Sequence, residues 1–331
     1  VPYDPTYHLL WRLDKIRVEV ERRNPDVVEI HSPYLAALGV LRLRRGFRVR
    51  TCFWHSDFAD TYGDILLARA PRRVLRAATA PAWSWVRAIG ERVDATIVAS
   101  RVQRDKLAAH GVPRVELVPM GVERAVFRPE ARDEALRRAL LGDAKILAVG
   151  VGRFAVEKRW PVVLEAVRRL AARNVPLTLV LFGDGPERAR LEKEARDLPV
   201  RFHGFERDRT MLARAIASAD VLLHACPYET FGISVAEALA CGTPVVVPSA
   251  GGAGEHATTF PDAAEAYPAG DAQACAEAAL RVLSRSAEAR AAAGRAAAAR
   301  VPSVEDHFRA LVELYVALLE RAGPRSTPSV R

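Results

Sequence analysis

The stretch Tyr228-Glu-Thr-Phe-Gly-Ile-Ser-Val-Ala-Glu237 decides how this chain is read. Two carboxylates, Glu229 and Glu237, are separated in it by seven residues. The apolar run Asp220-Val-Leu-Leu-His-Ala-Cys226 before it predicts a strand, Pro-Tyr-Glu a turn, and the residues after Gly232 a helix. Glu229 then sits at the mouth of a helix N-terminus, and Glu237 lies about one and a half turns inside, near the same side. The unbonded N–H groups at Phe231, Gly232 and Ile233 point at one spot and favour an anion. A diphosphate on those N–H groups, with carboxylates placed for sugar hydroxyls, describes a nucleotide-sugar site. The same residues also fit a plain strand–turn–helix with one surface Glu and one helix-face Glu.

Outward from that stretch, strands and helices alternate. Strands are expected at 25–31, 48–55, 94–100, 115–119, 145–150, 176–182, 200–203, 220–226 and 244–248. Helices are expected at 6–23, 63–91, 160–173, 186–197, 209–218, after Gly232, over 271–300 and over 304–321. Such alternation predicts parallel sheets covered on both faces. Residues 119–143, with Pro119, Gly121 and Pro129, read as the linker between two doubly wound α/β units. The expected division is 1–133, 134–303, a final helix 304–323 and a tail 324–331. The first unit opens on a helix, without the strand and Gly-containing turn that normally start such a unit. It therefore reads as incomplete, with an exposed sheet edge.

The chain has 331 residues, enough for two domains. Half are apolar, and no run reaches the roughly 20 residues of a membrane span. Cys52, Cys226, Cys241 and Cys275 are scattered and read as reduced core residues of a cytoplasmic protein. Neither His nor Cys spacing supports a metal site. The net charge of +9 comes from dispersed arginine alongside heavy alanine use, which also fits a GC-rich composition bias. No nucleic-acid module is visible. Residues 65–92 carry Arg69, Arg72, Arg73, Arg76 and Arg87 among Leu66, Leu67, Val74, Leu75, Trp83 and Trp85. This stretch fits either a peripheral contact with an anionic membrane or an ordinary two-faced helix pair over a sheet.

Gly150, Gly152 and Ala155 match G-x-G-x-x-A after a strand. A dinucleotide role is disfavoured, because the next strand ends in Gly183-Asp-Gly-Pro186 and not in an acid about 20 residues on. Arg153 and Lys158 can instead act as fixed cations beside a diphosphate leaving group, or be solvated loop residues. Gly251, Gly252 and Gly254 read as a loop permitting close backbone approach. Asp184 reads as a turn residue. His31 and His55 end adjacent strands, where open α/β sheets bind ligands. Either can hydrogen-bond a sugar hydroxyl or a phosphate, or be structural.

Taken in order, Glu29-Ile-His-Ser-Pro, Trp54-His-Ser, Val118-Pro-Met-Gly-Val122, Phe127-Arg-Pro, Val151-Gly-Arg153, Glu157-Lys158, Gly183-Asp-Gly-Pro, Glu229 to Glu237 and Gly242-Thr-Pro-Val resemble the retaining glycosyltransferases of family 4. The resemblance covers nearly the whole chain, most specifically 145–260. It implies a GT-B fold: two Rossmann-like parallel-sheet domains facing across a cleft, with a C-terminal helix crossing back to the N-domain. It implies that Arg153 and Lys158 hold the donor diphosphate, Glu229 the donor sugar and Glu237 the ribose. Gly152, Phe231, Gly232 and Ile233 would approach phosphate and sugar, and Gly204 and Phe205 the base. His55 would position the sugar, with His31 and Asp57 on the acceptor side. The implied reaction moves a hexosyl group from a UDP- or GDP-sugar to a hydroxyl of a glycan, lipid or small molecule. Neither cofactor nor metal is expected. The family's N-terminal Gly-rich loop has no counterpart in these residues. Two further readings stay open: a GT-B sugar-nucleotide epimerase, which would need no acceptor, and an impaired nucleotide-binding module, which would bind without turnover.

Overall fold

The computed structural model describes residues 12–66 and 70–324. It divides into two compact units, residues 1–119 with 305–331, and residues 120–304.

The described part of the first unit begins with helix α1 (Leu13–Arg23). Strand β1 (Val27–Ile30), helix α2 (Leu35–Leu41) and strand β2 (Val49–Phe53) follow. Helices α3 (Phe58–Leu66) and α4 (Arg72–Glu91) lead to β3 (Ala95–Val98), α5 (Arg101–Ala109) and β4 (Val115–Leu117). The strands form one parallel sheet in the order β1-β2-β3-β4. One core cluster gathers Ile30, Val40 and Cys52 with Ile89 of α4. Another gathers Trp54, Trp83, Val98 and Leu107. Helix α14 (Val304–Ala322) belongs here too, laying Leu314, Leu318 and Leu319 on Val49 and Ala95. Arg48 of β2's approach donates to the Leu319 and Gly323 carbonyls at 3.0 and 2.7 Å.

Both tryptophans invoked for membrane contact are turned into the protein. Trp83 is buried and donates its indole N–H to Asp60 at 3.2 Å. Trp85 donates to the Pro33 carbonyl at 2.7 Å. The helix is therefore the two-faced kind, with Trp83, Val86 and Ile89 inward and Arg73, Val74 and Arg87 outward. Leu67 and Arg69 lie outside the described residues, as do Leu9, Leu10 and the tail beyond 324. No described helix is long and apolar enough to cross a membrane.

The second unit starts earlier than the linker reading placed it. Residues 120–133 pack with it: Asp133 caps helix α6 (Glu134–Leu141), and its N–H donates to Ser218 Oγ at 2.9 Å. Strand β5 (Ile146–Val151), helix α7 (Trp160–Ala172), strand β6 (Leu177–Phe182), helix α8 (Arg188–Glu194) and strand β7 (Val200–Gly204) come next. Then follow helix α9 (Arg209–Ala217), strand β8 (Val221–Leu223), helix α10 (Ile233–Ala240) and strand β9 (Val245–Pro248). Helix α11 (Gly251–Thr259), strand β10 (Ala264–Tyr267) and helices α12 (Ala272–Ser284) and α13 (Ala287–Arg300) complete the unit. The parallel sheet runs β10-β9-β8-β5-β6-β7. Strands β5, β6, β8 and β9 are apolar runs buried on both sides, as a doubly covered parallel sheet requires. Asp133, Asp208, Asp271 and Ser286 cap their helices with side-chain oxygens.

This strand order fixes where a ligand can sit. The chain winds outward from β5 through β6 to β7, then returns to β8 on the other flank of β5. The order reverses between β5 and β8, so the loops beyond their C-terminal ends part there and leave a crevice. Those loops carry Gly152 to Lys158 and His224 to Gly232.

Candidate active site

At the end of β5 the chain turns through Gly152 and Arg153 into a single 3₁₀ turn, Val156–Lys158. Close backbone approach explains the glycines. A Cβ on Gly183 would lie 1.9 Å from the Gly152 carbonyl oxygen, and one on Gly185 2.4 Å from that of Phe154. The Gly183-Asp-Gly-Pro turn thus lies flat against the loop after β5, and the Phe154 N–H donates to the Asp184 carbonyl at 2.9 Å. Trp160 braces the same loop by donating to the Arg153 carbonyl at 2.8 Å.

Across the crevice, Lys158 Nζ donates to Glu229 Oε1 at 2.6 Å. Burial works against both charges, yet each partner sustains the other: Lys158 is held above the usual lysine value and Glu229 below the usual carboxylate value. Arg159, in the left-handed conformation at φ 51°, donates to the Tyr228 hydroxyl and stacks over its ring at 5.2 Å. Two adjacent cations on one loop therefore grip two adjacent residues on the other.

Below them lies His224, buried, with its Nε2 3.5 Å from Glu229 Oε1 and without a hydrogen-bond partner. Burial lowers its pKa to about 4, so the ring is neutral at neutral pH. The sequence reading counted His224 only as part of an apolar strand. Its neighbours in chemistry, Cys226 Sγ and Glu229, have donor atoms within 4.8 Å of it and of one another. An N, S, O set of this kind can ligate zinc. Here the carboxylate oxygen already holds the Lys158 ammonium, and burial pushes the Cys226 thiol up to about 12.

The turn after Glu229 is held by main-chain contacts. Gly232, at φ 86°, precedes α10 as its N-cap and packs on Ala253. The segment read as a Gly-rich loop, Gly251 to Gly254, is instead the first turn of α11. A Cβ on Gly251 would meet the Pro227 carbonyl at 2.5 Å, and one on Gly252 the Thr230 carbonyl at 2.5 Å. The Gly252 N–H donates to the Glu229 carbonyl at 2.6 Å. His256, further along α11, is buried and neutral, its pKa lowered by burial to about 4. It donates Nε2–H to the Phe231 carbonyl at 3.0 Å. So the glycines approach backbone, and that backbone carries Glu229.

Glu237 engages a different cation. It is buried on α10 and accepts from Arg209 of α9 at 2.9 Å. Its pKa is nevertheless raised, because burial outweighs the arginine. Arg209 also lies 3.6 Å from Glu123 and over the Phe127 ring. Ile233 and Phe205 are exposed, Phe205 at 71%, whereas Phe231 is buried. Gly204 closes β7, and its carbonyl accepts from the Gly183 N–H at 2.8 Å. Arg153 is half-buried on the loop beside Lys158.

In the first unit, His31 and His55 meet: His31 Nδ1 and His55 Nε2 lie 2.8 Å apart. Both stand just beyond the paired ends of β1 and β2. Asp57 is elsewhere in character. It is buried and ion-paired with Lys106, which also contacts Asp60. Burial raises its pKa against the pull of Lys106.

The sequence matches two family models, that of the glycosyl transferases group 1 over residues 131–300 and that of Glycosyltransferase Family 4 over residues 1–126. A GDP-mannose-dependent alpha-mannosyltransferase of Mycolicibacterium smegmatis is 38% identical over 233 residues, which are 69% of this chain and 57% of that protein. A GDP-mannose-dependent alpha-(1-6)-phosphatidylinositol dimannoside mannosyltransferase of Mycobacterium tuberculosis is 33% identical over 248 residues, 75% of this chain and 63% of that protein. The chain thus spans less than two thirds of the length of these curated relatives. Among solved structures, sucrose-phosphate synthase from Thermosynechococcus elongatus superposes with a TM-score of 0.77 at 23% identity, covering 96% of this chain and 82% of that one. An Anabaena protein, Alr3699/HepE in complex with UDP and glucose, gives 0.71 at 18% identity, covering 92% and 81%. Both likenesses are of fold, and that fold is GT-B.

Proposed function

Because this chain belongs to the family 4, group 1 glycosyltransferases, we propose that it transfers a mannosyl group from GDP-mannose to a hydroxyl of a glycan or glycolipid, with retention and without a metal. The donor follows the names of the relatives above. Those names are transferase names, which favours transfer over epimerisation. The observation that carries the reading is the Lys158–Glu229 pair, held at 2.6 Å at the point where the strand order of the second unit reverses.

In this proposal Lys158 and Arg153 offset the charge that develops on the departing diphosphate. The N-terminus of α10 supplies N–H groups to the same oxygens. Glu229 accepts from donor-sugar hydroxyls, and Glu237 from the ribose diol. Phe205 offers an exposed ring face to the guanine. The bond from sugar C1 to the diphosphate oxygen breaks, and a new one forms from C1 to the acceptor oxygen on the same face. The acceptor hydroxyl proton passes to the departing phosphate oxygen. Gly152, Gly204 and Gly232 let backbone approach the donor. His55 and His31 serve substrate hydroxyls in the first unit.

Calorimetric titration with GDP, UDP and ADP, with Lys158→Ala as the control, tests the donor site. GDP should bind most tightly, and the variant should lose that binding. Transfer from GDP-mannose should persist in EDTA, and the one-bond carbon–proton coupling at the product's anomeric carbon should report the α configuration. A folded protein that binds none of the three nucleotides, or product formed without an acceptor, would overturn the reading.

A further inference from the structure

A second cavity, of about 580 Å³, lies in the second unit, and none of Arg153, Lys158, Glu229 and Glu237 lines it. Its size is within the range of about 300–1,000 Å³ typical of small-molecule sites. Small residues on α13 create it. Gly294 sits against the end of α10, where a Cβ would meet the Gly242 carbonyl oxygen at 2.0 Å. Just beyond, Ala298 and Ala299 end in methyl groups, and the space that longer side chains would fill stays open beside Ala240 and residues 124–130. Main-chain bonds tie the two walls together: the Val122 N–H donates to the Pro302 carbonyl at 2.9 Å, and the Val304 N–H to the Val122 carbonyl at 3.1 Å.

The charges on this cavity are unbalanced. Arg124, Arg128 and Arg295 line it from exposed positions, with Glu130 beside them. Among the described residues, none of these four side chains forms a hydrogen bond or an ion pair. Arginines close by in the same unit do: Arg132 holds Glu134 at 2.6 Å, Arg137 holds Asp220 at 2.7 Å, and Arg214 holds Asp133. Arg209, over the Phe127 ring, is committed to Glu237. Three like charges around one space repel one another, and an anion placed among them removes that repulsion. The planar guanidinium fork matches the oxygens of a phosphate. Glu130 opposes a bare phosphate but accepts hydrogen bonds from hydroxyl groups. Phe127, Ala240 and Ala298 supply apolar surface.

We propose that this cavity is a second ligand site, built for a phosphate ester of a polyol. The arginines hold the phosphate, Glu130 accepts from a polyol hydroxyl, and the apolar surface faces the polyol carbons. Such an ester occurs free, as in glycerol phosphate or inositol monophosphate, and as the headgroup of phosphatidylinositol. The site stands apart from the transferase reading, because it shares no residue with the crevice beyond β5 and β8.

Calorimetric titration of the full chain with inositol monophosphate, glycerol phosphate and inorganic phosphate tests this. Both esters should saturate a single site, more tightly than inorganic phosphate, and should weaken with added salt. Arg128→Gln and Arg295→Gln should each reduce ester affinity roughly tenfold. Glu130→Ala should weaken the esters and spare inorganic phosphate. Ala299→Leu keeps every charge and fills the cavity from an exposed position, so it should weaken the esters with the thermal midpoint unchanged. Lys158→Ala should bind the esters as the native chain does. Co-sedimentation with vesicles of phosphatidylinositol in phosphatidylcholine, against phosphatidylcholine alone, separates the two sources. Capture that inositol monophosphate reverses supports the headgroup; ester binding without capture supports a free phosphorylated polyol. Esters that fail to saturate in the millimolar range, or that bind no more tightly than inorganic phosphate, would overturn the proposal. So would binding that is lost in Lys158→Ala, or that survives both Arg295→Gln and Ala299→Leu. Ester binding without any nucleotide binding would fail the transferase reading and leave this site standing.

Discussion

Replacing Lys158 by methionine removes one charge and keeps most of the aliphatic stem. In the native chain the two side chains of the Lys158–Glu229 pair are 23% and 18% exposed. Without the ammonium, Glu229 is a largely buried carboxylate facing the neutral ring of His224 at 3.5 Å. Removing one partner of a fully enclosed pair costs about 3–5 kcal/mol, and the residual exposure here reduces that to roughly 2–3 kcal/mol. The pH dependence carries a sign. In the native chain the Glu229 carboxyl is held low, so its contribution is present above the unfolded carboxyl pKa and is lost as pH falls through the lower folded value. In Lys158→Met burial acts with less opposition and lifts that pKa, so the folded variant takes up a proton more readily than the unfolded chain. The deficit against the native protein should therefore shrink as pH falls toward the unfolded carboxyl value. Amide exchange on peptides from β5 and β6 reads the second unit alone, which a whole-chain melt of two units does not. Adding Glu229→Gln should recover part of the loss. A deficit flat with pH, or a double variant losing the sum of the single losses, would refute a coupled buried pair.

Two further outcomes follow from the same unit. Burial lowers His224 from 6.5 to about 4, so the unfolded chain binds more protons across that window and stability should fall as pH drops through it, by on the order of 3 kcal/mol. His224→Leu should flatten that slope, measured by exchange or thermal midpoint against pH; an unchanged slope would assign the acid sensitivity elsewhere, His256 being the next candidate. Phe205→Ala, at a 71% exposed position, should change stability by no more than about 0.5 kcal/mol. Its GDP affinity should nonetheless fall by roughly 1–3 kcal/mol if the ring stacks on the base, and unaltered calorimetric binding would show that it does not.

Local pattern made most of the fold legible. Apolar runs such as Leu177 to Phe182 and capping residues such as Asp208 act over a few neighbours, and these elements formed where sequence placed them. Strand β10 escaped notice because Ala264-Glu-Ala-Tyr267 is short and alanine-rich, and it is a strand by virtue of pairing with β9. The glycines at 251–254 read as a loop, since only tertiary contact shows that they trade side chains for proximity to the Glu229 backbone. The pairing of Arg209 with Glu237 joins two helices, and nothing within either helix signals it. His31 and His55 were legible as neighbours at adjacent strand ends. Glu29 joined them only once the register set it beside Thr51.

The first unit is not contiguous in the chain: α14 returns to it after the whole of residues 120–304. Val27, Val49 and Ala95 are made before residues 120–304, and the Leu314, Leu318 and Leu319 that cover them are made after those residues. A ribosome therefore delivers every residue of the second unit before the first can finish its core, and closing that contact means looping across the entire intervening domain. Until then Glu29 also lacks Tyr315. A nascent chain halted before 305 would thus hold every residue of the second unit and a first unit still without its α14 cover.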